Sequence, residues 1–145
     1  MFQSFFPQPK LFFSSLALWS GILILVWYSF GKTIGEFLGF DLAEKETVIG
    51  LGHFITSEFL WFDTFFAFGA LAFFFVWRSR SPHEWQVWSV LGSALLIYLS
   101  YASVQVSVVI NAWYGPFYND IQTALTGDGG ITASDLYGHF LVFCT

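Results

Sequence analysis

Charge is what this sequence most lacks. Asp, Glu, Lys and Arg together make up 10% of its 145 residues, where a water-soluble domain carries about 25%. Basic residues are the scarcer sign: five Lys and Arg stand against ten Asp and Glu, a net charge of −5. Neutralising phosphates takes clustered Lys and Arg, so nucleic acid is excluded as a partner. One cysteine, Cys144, rules out an internal disulfide framework. The three histidines, His53, His83 and His139, are scattered without metal-ligand spacing, and His83–Glu84 does not continue into HExxH. No GxxxxGK[ST] motif occurs, so no nucleotide site is read. No serine or cysteine has a recognisable neighbouring base. The expectation is a non-enzyme with no cofactor and no metal.

Apolar residues fill the space that charge leaves. The chain is 56% hydrophobic and 23% aromatic, with 20 Phe and seven Trp. Only lipid solvates so much apolar surface, so the fold class is an all-α, polytopic membrane protein. The first uncharged run, residues 11–30, is long enough to cross a bilayer and too long for a signal-peptide core. A span and a helix lying in the interface are both open for it. A glycine-interrupted acidic loop covers 31–58, and a second span follows at about 59–77, capped by Thr56 or Ser57 with Glu58 in its first turn. A third span is read at 82–114: in SPHE, Ser81 caps, Pro82 takes the first helical position and Glu84 closes a capping box. Gly115–Pro116 then breaks the helix. A short amphipathic helix restarts at about 117–125, TGDGG ends it, and Thr132 with Asp135 opens a further span at about 133–145. This last apolar run has barely begun at Thr145, so the chain reads as the N-terminal part of a longer transmembrane domain. Arg78 and Arg80 place the loop between spans two and three in the cytoplasm.

Few residues inside the spans are able to do chemistry. Asp63 is the one carboxylate well within a span. Such groups are often proton relays. Near the span's end, it also fits a headgroup contact or a bond to a neighbouring helix. On the third span Ser89, Ser93, Ser100, Ser103, Ser107, Asn111 and Tyr114 fall on one stripe, with Tyr98, Tyr101 and Gln105 roughly opposite. Close helix packing and the lining of a solvent-filled path both fit. Trp61, Trp77, Trp85, Trp88, Trp113 and Tyr118 cluster near span ends, as interfacial aromatic belts do.

The strings MFQSFFPQPKLFF, VWYSFG, SPHEWQVWSVLGSALLI and VQVSVVINAWYGPFYNDIQTAL resemble the SbmA/BacA family of bacterial inner-membrane peptide transporters. The resemblance is dense over 1–30 and 78–125 and weak over 36–58. It implies a longer, homodimeric, multi-pass protein whose bundle is similar to the transmembrane part of ABC exporters without their ATPase. It implies uptake of peptides, proline-rich antimicrobial ones among them, driven by the proton gradient. It also implies effects on the very-long-chain fatty acids of lipid A. The family's proton-coupling glutamates fall mainly beyond Thr145. Tyr98, Tyr101, Gln105 and Asn111 are then expected to face a central cavity or the dimer partner. Trp113, Tyr114, Phe117 and Tyr118 are expected to shape the outer mouth.

Two departures stand out. Relatives commonly read FYD where this chain has Phe117–Tyr118–Asn119–Asp120, which moves the carboxylate about 100° round a helix. Some carry Glu where this chain has Gln105, an amide that neither gains nor loses a proton near neutral pH. The rival readings are an ABC exporter subunit, a membrane protein acting on lipid, and a truncated product.

Overall fold

The computed structural model describes residues 6, 8–43, 48–126, 130 and 132–144. The acidic stretch 44–47 and most of the TGDGG turn, both read as loop, lie outside the described residues. Among the described residues all regular structure is helical: α1 (Pro9–Phe37), a short 3₁₀ helix (Leu51–Ile55), α2 (Ser57–Arg80), a π-helical turn (Val87–Gly92), α3 (Ser93–Thr126) and α4 (Ala133–Cys144). Among the described residues three helices are long and apolar enough to cross a membrane: Pro9–Phe37, Ser57–Arg80 and the continuous Val87–Thr126. The chain is therefore a multi-pass membrane protein. It divides into two compact units, Met1–Leu42 with Trp61–Leu99, and Ala43–Leu60 with Ser100–Thr145.

In the first unit α1 and α2 run antiparallel, held by indole hydrogen bonds at three levels. The Trp77 indole donates to Ser15 Oγ at 3.0 Å, Trp19 to the Gly69 carbonyl at 3.0 Å, and Trp61 to the Gly31 carbonyl at 3.0 Å. From Ser15 to Gly31 is roughly 24 Å of helix, most of a hydrocarbon core about 30 Å thick. Residues 11–30 thus lie inside α1, a helix long and apolar enough to cross a membrane and paired with α2 along most of its length. The core beneath gathers Phe12, Phe73, Phe74, Trp77 and Val90. Phe12 sits 5.6 Å from Phe73 and 5.4 Å from Trp77, ring centre to ring centre.

The belt reading fails for two tryptophans. Trp61 and Trp77 do lie near span ends, but they are only 4% and 8% exposed. An indole carries a large apolar body and one donor, and a partner helix with an accessible carbonyl or hydroxyl satisfies both. Trp85 and Trp88 remain exposed.

The loop expected at 31–58 also starts late, because α1 continues to Phe37. Gly31 and Gly35 are buried helix residues here. A Cβ on Gly35 would stand 2.9 Å from the Trp61 indole nitrogen and 2.5 Å from a Leu42 methyl. Gly35 thus leaves the room that lets Trp61 reach the backbone, while a Cβ on Gly31 would meet the Trp27 ring at 3.3 Å. The helix then closes with a Schellman cap: Gly39, at φ 93°, donates to the Glu36 carbonyl, and Phe40 to the Gly35 carbonyl.

The third helix does not begin at SPHE. The Ser81 N–H instead prolongs the α2 ladder to the Trp77 carbonyl, and His83 Nδ1 accepts the Trp85 N–H at 3.2 Å. Helical geometry starts at Gln86, leading into the π turn. Gln86 is fully buried, and neither of its amide atoms has a hydrogen-bond partner.

In the second unit, Thr56 caps α2 as expected. Its Oγ accepts the Phe59 N–H at 3.4 Å while its hydroxyl donates to the His53 carbonyl at 2.8 Å, joining the 3₁₀ helix to α2. Thr132 likewise caps α4: Asp135 Oδ2 accepts both the Thr132 N–H at 2.7 Å and its hydroxyl at 2.8 Å.

The break expected at Gly115–Pro116 is absent, and α3 runs through to Thr126 with Pro116 inside it. Proline has no N–H to give the preceding turn, so other contacts must hold the helix there. Aromatic pairs one turn apart bridge the site: Trp113 stacks on Phe117 at 4.6 Å, and Tyr114 meets Tyr118 at 5.5 Å. α4 braces the same stretch. The Trp113 indole donates to the His139 carbonyl at 2.8 Å, and Phe117 packs edge-on against Phe140 at 5.5 Å.

Candidate functional site

The expected path residues do not form one row of free polar groups. In the first unit, the Tyr98 hydroxyl donates to Asp63 Oδ2 at 3.2 Å, and its ring lies 5.9 Å from Phe66. Asp63 thus bonds to a neighbouring helix. Its other oxygen, Oδ1, is buried and unpartnered.

In the second unit, Gln105 Oε1 lies 3.1 Å from His53 Nε2. A carbonyl oxygen only accepts, so His53 donates from Nε2. Around this bond the Phe59 ring stacks on Tyr101 at 6.0 Å and tilts against His53 at 5.8 Å. A half-buried amide, an imidazole and two aromatic rings therefore meet where the 3₁₀ helix reaches α3.

A second cluster sits near the far end of α3. His139 Nε2 pairs with Asp120 Oδ2 at 2.7 Å, and Phe117 meets the His139 ring edge-on at 5.9 Å. The displaced carboxylate of the sequence is therefore engaged: one position along, Asp120 faces α4. Trp113 and Phe117 are partly buried in this cluster, whereas Tyr114 and Tyr118 are exposed.

The polar stripe divides as well. Ser89 is buried, its hydroxyl 3.4 Å from the Gln86 carbonyl, and Ser107 donates to the Ser103 carbonyl at 3.1 Å. Ser103, Ser107, Asn111 and Tyr114 lie exposed along α3. These side chains offer hydroxyl, amide and aromatic groups to whatever occupies that face.

Sequence reasoning missed His53 and His139. Each is an imidazole within an apolar stretch, GHFI and GHFL, and a polar group at membrane depth needs a partner. That was the available signal. The partners, Gln105 and Asp120, lie too far along the chain for any spacing rule to name.

Among the described residues, no three His, Cys, Asp or Glu side chains come together to hold a metal ion. Residues 82–145, which hold the π turn, α3, α4 and both histidine-adjoining partners Gln105 and Asp120, match the family model described as SbmA/BacA-like. Together with three helices long and apolar enough to cross a membrane, the match supports a role in transport. Over residues 82–145 the chain is thus similar to the SbmA/BacA-like family.

Proposed function

We propose that this chain forms the N-terminal part of a proton-driven peptide importer of the bacterial inner membrane. The family match over residues 82–145 carries the reading. It coincides with the segment that holds five of the chain's seven Asn and Gln side chains. The complete protein works as a homodimer, with a helical bundle like the transmembrane part of ABC exporters. Its substrates are peptides, including proline-rich ones.

The chemistry of the segment suits such a cargo. Peptide backbones offer N–H and C=O groups, which Asn111 and Gln105 match in kind. Proline rings are apolar and flat, and aromatic faces such as Tyr114 and Tyr118 accept them as they do in other proline-rich recognition. In this reading Tyr98, Tyr101, Gln105 and Asn111 belong to the cavity, and Trp113, Tyr114, Phe117 and Tyr118 to the outer mouth. Arg78 and Arg80 mark the cytoplasmic side.

The test is uptake of a proline-rich peptide by cells carrying the full-length protein with Gln105→Leu or Trp113→Ala at normal expression. The reading expects reduced uptake in both. Unchanged uptake in both removes these residues from the path.

A further inference from the structure

A groove of about 690 Å³ opens between α1 and α2 within the first unit. Its walls are Leu11, Leu18 and Ile22 from α1 and Phe73, Val76 and Trp77 from α2. From Leu11 to Ile22 is about 16 Å of helix, the depth of one leaflet of a hydrocarbon core about 30 Å thick. One end is polar, where Gln8, Ser81 and Arg80 line the mouth. Arg80 is the one charged side chain in the lining, and among the described residues no carboxylate forms an ion pair with it. Lys10 opens α1 and Arg78 sits in the last turn of α2, at the same end of the antiparallel pair. Three of the chain's five basic residues therefore lie at this end of the helix pair.

We propose that this groove is a binding site for an anionic glycerophospholipid, one acyl chain lying along Leu18 and Val76 and the phosphate at Arg80. The tail replaces the contacts that a void between two spans forfeits. The phosphate takes the guanidinium's forked donors, which suit its geometry. Basic pockets between transmembrane helices on the cytoplasmic side hold anionic headgroups on this principle. Neutral lipid fills the groove equally well with its tail but has no net charge to offer Arg80. Selectivity thus belongs to the mouth, and fit to the walls. The inference rests on the membrane reading alone and holds whatever the protein transports.

Trp19 and Trp77 line the groove, which supplies a built-in reporter. The full-length protein is reconstituted in phosphatidylcholine nanodiscs containing either phosphatidylglycerol or phosphatidylcholine brominated on the acyl chains, at equal mole fraction. Bromine quenches tryptophan on contact. The expected result is stronger quenching by the brominated phosphatidylglycerol, with an apparent preference of roughly fivefold that weakens as salt rises. Arg80→Gln removes the preference, and Arg78→Gln, outside the lining, keeps most of it. Leu18→Trp fills the groove with Arg80 in place and also removes it. Equal quenching by the two lipids in the unaltered protein overturns the proposal: the groove then holds annular lipid, another helix or a second copy. A preference that survives both Arg80→Gln and Leu18→Trp overturns it too.

Discussion

The Trp61 indole donates to the Gly31 carbonyl at 3.0 Å, and it reaches that carbonyl because Gly35, one turn further along α1, has no side chain. Trp27 stacks on the other side of Trp61 at 6.1 Å, and Phe40 closes the far edge at 5.4 Å. Gly35→Val sends methyl groups into Trp61 and Leu42, and overpacking of this kind costs about 1–3 kcal/mol. Unfolding of the detergent-solubilised protein, followed by tryptophan fluorescence, is expected to show that loss. Gly21→Val is the control, since a Cβ at Gly21 meets nothing within 4 Å. Its effect stays below that of Gly35→Val.

Asp63 and Tyr98 form the second testable pair. Tyr98→Phe leaves the Asp63 carboxyl without its hydroxyl donor while its other oxygen is already buried and unpartnered. The expected cost is about 1–3 kcal/mol. In an Asp63→Leu background the same change costs much less, because no acceptor is left orphaned. A double-mutant cycle with no coupling would mean that the two groups do not bond in the folded protein.

The continuity of α3 through Pro116 gives a distance prediction. Spin labels at Ala112 and Thr123 should lie about 16 Å apart along the axis, as in unbroken helix. Pro116→Ala restores an N–H without moving the labels. A distance that changes by several ångströms on that substitution would show a proline-dependent break between them.

Gln86 is buried with both amide atoms unpartnered. A leucine of similar size removes two unmet hydrogen-bonding groups, so Gln86→Leu is expected to leave stability unchanged or raise it by about 1–3 kcal/mol. Destabilisation on this change would mean that the amide finds partners in the assembled protein.

The sequence made the long apolar helices and the Thr56 and Thr132 caps legible, because each depends on residues close together along the chain. What it concealed depended on distant partners. Trp61 and Trp77 were readable as aromatics near span ends, but not as pointing inward. That depends on the Gly31 carbonyl and the Ser15 hydroxyl lying opposite. Gly115–Pro116 reads as a stop on local rules, and tertiary contacts from His139 and Phe140 override it. SPHE has a capping signature, yet Ser81 is drawn into the α2 ladder and His83 answers the Trp85 N–H instead. Of the candidate path, the aromatic and amide content was legible. The pairing of Gln105 with His53 and of Asp120 with His139 was not.

The central claim is peptide import driven by protons, and transport by the purified full-length protein tests it most directly. Proteoliposomes carrying it are given a pH gradient, acidic outside and alkaline inside, and offered a labelled proline-rich peptide. The account predicts accumulation that collapses when a protonophore dissipates the gradient and that falls in the Trp113→Ala protein. Uptake indifferent to the gradient, or none in a folded and correctly inserted protein, would contradict it.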